Sequence, residues 1–179
     1  LEEGDTVDKT KVSYRTLGSS GSYTPYAVPE ATGSTENGYD LSNWLIYGGS
    51  QDRDVAGTSI TMTGGKVNFI NGGGHALTEN ANVTGNTSVI VQGGTLRSNV
   101  YGGGNASGEG LAANVGGDTS VTVEGTASVW TVYGGGGSVA STVANVTGTA
   151  TVTVKAGTIG DDVYGGSIAS GNSTTGNTN

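Results

Sequence analysis

A repeat of about 31 residues is the feature that most constrains how this chain can fold. From about Trp44 onward, five-residue segments with alternating apolar and polar side chains recur, and they start at Ser59, Ser88, Ser120 and Thr151. Successive starts are 29, 32 and 31 residues apart. The alternation predicts strands that bury one face. A fixed period of this size is typical of proteins in which each repeat stacks on the next.

Two further elements recur within each repeat. A Val-Tyr-Gly-Gly pattern, or a close variant, follows each strand, with Asn71, Tyr101, Tyr133 and Tyr164 at the tyrosine position. Tyr47 belongs to an earlier relative of this pattern. A third pattern, Asn-Val followed by Thr-Gly or Gly-Gly, leads into the next strand from Asn82, Asn114 and Asn145. Three short strands per repeat predict one turn of a triangular coil, with glycine at the corners where backbones approach closely. Helical repeats are disfavoured because glycine runs and β-branched residues are poor helix formers.

These patterns predict an all-β parallel solenoid of about four to five coils over residues 44–179. Its core should be thin, because only 33% of the residues are hydrophobic. Residues 1–43 lack the repeat and contain both prolines, Pro25 and Pro29. We expect this segment to be an N-terminal cap or a recognition segment. Residues 171–179 stop where a fifth strand would begin, so we expect a longer natural protein.

Charge and composition exclude several classes of partner. Fifteen acidic and seven basic residues give a formal charge of -8, which disfavours nucleic acid because phosphate binding needs clustered Lys and Arg. The sequence contains no apolar run long enough to span a bilayer, so we expect no direct membrane insertion. Cysteine is absent and His75 is the only histidine, so we expect neither a metal nor another cofactor. His75 is interpreted as a loop residue.

The pattern that is most complete in residues 82–104 and 114–136 resembles repeats of large bacterial adhesin-like proteins, which are secreted or surface-anchored. These include autotransporter-type passengers with pectate-lyase-like β-helices. The resemblance covers about residues 44–179. It implies a right-handed parallel β-helix, an extracellular or cell-surface location, and a host glycan or host surface protein as the partner.

Enzymes with a β-helix, such as polysaccharide lyases and glycoside hydrolases, are an alternative that needs carboxylates gathered in a groove. The candidates are the Asp52-Arg53-Asp54 run and the Asp161-Asp162 pair. Neighbouring residues on a strand point to opposite faces, so we interpret both as surface turns and assign no catalytic residue. An enzyme would require Asp52, Asp54 or Asp161 to converge with Arg53 or Arg97.

A column of aromatic residues is the candidate binding surface. If the valine of each Val-Tyr pair points inward, the tyrosines point outward and lie above one another, with Asn71 interrupting the row. Aromatic rings can stack on sugars or form protein contacts. The candidate ligand-binding residues are Tyr47, Tyr101, Tyr133, Tyr164 and Trp130. The tyrosines could instead stack on one another and cover the glycine backbone. A further alternative is a passive stalk or filament subunit that associates end to end.

Overall fold

The computed structural model describes residues 40–139 and 141–170, with side chains from residue 44 onward. The predicted cap lies outside these ranges, apart from residues 40–43 at the start of the first strand. The described residues form strands and turns, with no helix among them. The strands are β1 Asp40–Tyr47, β2 Thr58–Met62, β3 Lys66–Asn71, β4 His75–Ala76, β5 Thr87–Val91, β6 Thr95–Leu96, β7 Asn99–Tyr101, β8 Asn105–Ala106, β9 Thr119–Val123, β10 Ser128–Val129, β11 Thr131–Tyr133, β12 Gly137–Val139, β13 Ala150–Val154, β14 Thr158–Ile159, β15 Val163–Tyr164 and β16 Ile168–Ser170.

Three parallel sheets run along the molecule, and each coil contributes to all three. The first sheet has the order β2-β5-β9-β13, and the third has the order β4-β8-β12-β16. The second sheet contains β1, β3 and the short strands β6, β7, β10, β11, β14 and β15. The chain therefore forms a β-solenoid of about four turns, which confirms the all-β solenoid predicted from the repeat.

The first sheet is built from the alternating five-residue segments. In β5 and β9 every second residue faces inward, and Val89, Val91, Val121 and Val123 are fully buried. The five residues of β5 pair in register with those of both β2 and β9. A short strand cannot bury its apolar face alone, so this ladder of valines on successive coils supplies the core.

A row of buried threonines joins the first sheet to the glycine corners of the coil. Thr87 and Thr119 begin β5 and β9, and their side chains are 2% and 1% exposed. Each hydroxyl donates a hydrogen bond to a glycine carbonyl, from Thr87 to Gly102 at 2.5 Å and from Thr119 to Gly134 at 2.6 Å. Thr87 and Thr119 therefore donate internal hydrogen bonds to corner carbonyls that would otherwise be buried without a partner, whereas Ala150 takes this position in β13.

The second sheet changes its strand pattern between the first coil and the later coils. The six-residue β3 pairs with β6 near its start and with β7 near its end. β6 and β7 are separated by Arg97 and Ser98, so the later coils have a bend where the first has a continuous strand. The bend displays the residues that follow β6 and β10 on the outside of the solenoid.

The third sheet differs from the expectation that the Asn-Val pattern forms the third strand. The residues directly after the glycine cluster form this sheet, beginning with β4, whereas the Asn-Val pattern contributes single bridges such as Val83 to Val115. Side-chain oxygens there supplement the backbone hydrogen bonds between coils, such as the bond of 2.8 Å from the N–H of Val83 to the carbonyl of Asn114. The backbone N–H of Asn114 donates to the side-chain oxygen of Asn82, and that of Asn145 donates to Asn114, both at 2.9 Å. Asparagine side chains satisfy the backbone donors without a regular strand.

Candidate functional site

The tyrosines of the second sheet stand directly above one another, as the repeat predicts. Tyr101 pairs with Tyr133, and Tyr133 pairs with Tyr164, through the backbone register of β7, β11 and β15. Their preceding valines point into the core, and Val100 and Val132 are fully buried. This register places one tyrosine ring per coil on the outer side of the solenoid.

The three rings cover each other's faces. The ring centroids of Tyr101 and Tyr133 are 5.0 Å apart, and those of Tyr133 and Tyr164 are 4.9 Å apart, with interplanar angles of 8° and 6°. Tyr133 is only 9% exposed, whereas Tyr164 at the end of the row is 44% exposed. A sugar or a protein side chain therefore has no access to either ring face of Tyr133. The interpretation that the tyrosines stack on one another is confirmed.

Asn71 interrupts the tyrosine row, and a histidine takes the place of the missing ring. The backbone register runs from Tyr47 through Asn71 to Tyr101. His75, from the same coil as Asn71, stacks on Tyr47 with centroids 4.5 Å apart and an interplanar angle of 5°. Its Nε2 lies 3.0 Å from the hydroxyl of Ser107. His75 is therefore a stacking residue, whereas the sequence suggested a loop residue.

The side chain of Asn71 is fully buried. Neither its Oδ1 nor its Nδ2 has a hydrogen-bond partner. A buried amide without partners loses its hydration without compensation, which destabilises the folded state. This position is therefore a local weakness of the stacked row.

Burial and one hydrogen bond to a carboxylate favour the neutral form of the tyrosine hydroxyls. Burial raises the pKa of Tyr47 to about 12. Burial also raises the pKa of Tyr101, and the hydrogen bond of 2.8 Å that this hydroxyl accepts from Nδ2 of Asn99 partly offsets the rise because it stabilises the phenolate. The Tyr164 hydroxyl donates a hydrogen bond of 2.8 Å to Asp162, which raises the pKa of Tyr164. These hydroxyls are thus unsuited to act as bases near neutral pH.

Trp130 lies on the outside of the second sheet and presents a large exposed aromatic surface. It follows β10, and its side chain is 53% exposed. The indole lies directly over Gly160 of the next coil, where an added Cβ would be 2.7 Å from the Cε3 atom of the indole. Because glycine leaves this space free, the flat ring rests against the backbone. Of the five candidate ligand-binding residues, Trp130 is the most accessible one outside the stacked rows.

The carboxylates singled out in the sequence are engaged locally. Asp52 accepts hydrogen bonds from Ser50 at 2.8 Å and from Arg53 at 3.1 Å, and the Arg53 contact is the main cause that lowers the pKa of Asp52. Asp54 accepts two bonds from Asn82 in the next coil, both at 2.9 Å. The interpretation of this run as a surface turn is confirmed, and Arg53 and Asp52 form a local ion pair within it.

The second acidic pair is also bonded to its neighbours. The Oδ2 atom of Asp161 accepts a bond of 3.3 Å from the Thr131 hydroxyl, and Asp162 holds Tyr164. Within residues 40–139 and 141–170, no group of three His, Cys, Asp or Glu side chains could hold a metal ion.

The fold and the outer face define a β-solenoid repeat protein whose accessible chemistry lies on its outside. No protein-family model matches the chain, and neither the curated proteins nor the solved structures contain a match. Among the described residues there is no helix that could cross a membrane.

Sequence reasoning missed two parts of the outer surface. The stacking of His75 could have been inferred, since Asn71 leaves one ring position empty in the row. A polar groove of about 270 Å³ follows the corner between the first and second sheets. The Gly64-Gly65 and Gly93-Gly94 pairs mark this corner in the sequence, but their spacing alone does not show which side chains line it.

Proposed function

We propose that this chain is a non-enzymatic, ligand-presenting region of an extracellular bacterial surface protein of the adhesin type. Its ligand is a host glycan or a host surface protein. The interior supports this proposal, because valine and alanine side chains fill it and leave the outer face as the surface for a ligand. The local bonding of the acidic residues favours binding over acid–base catalysis, which needs two carboxylates facing one substrate.

The exposed indole of Trp130 is the observation that carries the proposal. A flat aromatic ring that is 53% exposed gains binding energy when a sugar ring or an apolar side chain covers it. Its position over Gly160 fixes the plane of the ring before the ligand arrives. Such preorganisation lowers the entropy that binding costs. The stacked tyrosines beside it stiffen the outer side of the coil.

A mixed array of glycans and host surface proteins tests this function. The wild-type chain should bind at least one class of ligand, and Trp130→Ala should weaken that binding about tenfold or more. Trp44→Phe is the matched control, since it changes the other tryptophan and should bind like the wild type. Binding that survives in Trp130→Ala would contradict the proposed site, and the absence of any ligand would contradict the function.

A passive stalk or filament subunit is the second candidate, and the last described coil favours it. Val154, Val163 and Ile168 in this coil are 46%, 47% and 37% exposed. Within the part of the chain that the structure describes, their strands pair on one side only, and an unpaired edge can accept another strand. A stalk of this kind should bind nothing on the array. It should show concentration-dependent association in sedimentation velocity, and a charged residue at Val163 should abolish that association.

A further inference from the structure

Two basic side chains on the outside of the second sheet stand out in this acidic chain. Four of the seven basic residues lie in the described ranges. Arg53 and Lys155 each bind a carboxylate, with N–O distances of 3.1 and 2.9 Å. Among the side chains that the structure describes, from residue 44 onward, Lys66 and Arg97 have no ion-pair partner, and both are exposed. Of the four described basic residues, Lys66 and Arg97 therefore keep a charge that no described carboxylate neutralises.

The backbone register brings these two residues into line with Trp130. Lys66 pairs with Thr95, so Arg97 lies diagonally across from Lys66 on the next coil. Thr95 in turn pairs with Ser128, which places Arg97 and the residue after it opposite Trp130. The residues that alternate with Lys66, Arg97 and Trp130 along their strands face the core. The side chains of Lys66, Arg97 and Trp130 therefore point outward. A diagonal of two cations and one indole crosses three coils.

The polar groove runs beside this diagonal. Its lining offers hydroxyls, glycine backbone and one ammonium group, and it includes Gly65, Lys66, Gly94, Thr95, Thr126 and Ser128. Gly65 and Gly94 have φ angles of 82° and 86°, a conformation that favours glycine. Because glycine has no side chain, this corner of the groove stays open. Hydroxyls both donate and accept hydrogen bonds, which matches the many hydroxyls of a saccharide. Successive coils repeat this chemistry about every 4.8 Å.

We infer that this face binds an anionic saccharide, with its carboxylate or sulfate at Lys66 and Arg97 and a sugar ring on Trp130. The inference rests on the proposed function and names the ligand class. From the coil of Lys66 to that of Trp130 is about 10 Å, two coil spacings, which suits a short oligosaccharide lying along the axis. An acidic peptide fits less well, because the groove is polar and shallow and offers no apolar pocket for side chains.

Neighbouring charges give the bound saccharide a direction. Asp161 lies in the coil next to Trp130, and its backbone N–H donates to the Trp130 carbonyl at 2.8 Å. A second anionic group near Trp130 would therefore meet a carboxylate. The anionic end of the ligand lies over the first two coils, and a neutral ring lies over the third.

Calorimetric titration with hyaluronan hexasaccharide and its carboxyl-reduced form tests the charge requirement, and a sulfated hexasaccharide distinguishes the two kinds of anion. Acidic saccharides should bind, with reduction of the carboxylates weakening binding about tenfold or more. The double variant Lys66→Gln with Arg97→Gln should cause a similar loss. The control Arg53→Gln with Lys155→Gln changes the net charge equally on other faces and should bind as the wild type does.

Each outcome separates this inference from the proposed function. Equal losses in both double variants would overturn the inference in favour of diffuse electrostatics. If the carboxyl-reduced and the acidic hexasaccharides bind equally, and only Trp130→Ala weakens their binding, the inference is wrong while the proposed function stands. If these saccharides do not bind but a host protein binds through Trp130, the inference alone fails. If nothing binds on the array either, both fail. Circular dichroism of each variant confirms that the solenoid remains folded.

Discussion

Replacing Tyr133 with alanine should destabilise the solenoid far more than the same change at Tyr164. Tyr133 is 9% exposed and has a ring on each side, at 5.0 and 4.9 Å, whereas Tyr164 has one ring neighbour and is 44% exposed. Truncating a buried aromatic side chain costs about 3–5 kcal/mol. Each stacked pair adds about 0.5–1.5 kcal/mol beyond burial. We therefore expect a loss of at least about 3 kcal/mol for Tyr133→Ala and about 1 kcal/mol for Tyr164→Ala.

Urea unfolding followed by circular dichroism measures both losses on the same chain. Tyr133→Phe is the control, because the hydroxyl forms no hydrogen bond within the described ranges. It should change the free energy of unfolding by less than about 0.5 kcal/mol. Equal losses for the two alanine variants would refute the view that the tyrosine row is a structural stack. A loss below about 1 kcal/mol at Tyr133 would refute it as well.

Three further predictions concern the glycine corners, the buried amide and the aromatic stack. Gly103→Ala should lower the free energy of unfolding by about 1–3 kcal/mol or more, because the added Cβ would lie 2.7 Å from the backbone N of Gly136. Gly64→Ala is the control, since no atom lies within 4 Å of its added Cβ, and in thermal unfolding it should stay within about 1 kcal/mol of the wild type. Asn71→Leu should raise the free energy of unfolding by about 1 kcal/mol, since it removes a buried amide without partners; a loss in urea unfolding would contradict this. Because burial raises the pKa of Tyr47 to about 12, its contribution to stability is complete below pH 10 and is lost as the pH rises towards 12. Ultraviolet titration should show several late-titrating phenols, because the pKa values of Tyr101, Tyr133 and Tyr164 are raised too, and Tyr47→Phe should remove one that titrates near pH 12.

The repeat made the fold predictable because each strand has the same environment one coil later. The alternating valines of β5 and β9 face the core as their pattern indicates. The third sheet was mispredicted for a physical reason. The side-chain oxygens of Asn82 and Asn114 accept hydrogen bonds from the backbone N–H groups of Asn114 and Asn145, so a pattern that reads as a strand forms only isolated bridges.

The candidate site was only partly predictable. The row of Tyr101, Tyr133 and Tyr164 follows from one residue per repeat, but the covering of their faces depends on ring angles that a sequence does not encode. The placement of Lys66 and Arg97 depends on the bend between β6 and β7. Their spacing of 31 residues equals one repeat, yet only the backbone register shows that they are diagonal neighbours beside Trp130.

The indole signals of the two tryptophans provide the most direct test of the claim that ligands bind at the outer face around Trp130. The chain contains only Trp44 and Trp130, so a ¹H–¹⁵N spectrum has two indole N–H signals, and Trp130→Phe assigns them. During titration with an acidic hexasaccharide, the Trp130 signal should shift to saturation while the Trp44 signal stays in place. A shift confined to Trp44, or binding that moves neither signal, would contradict the account.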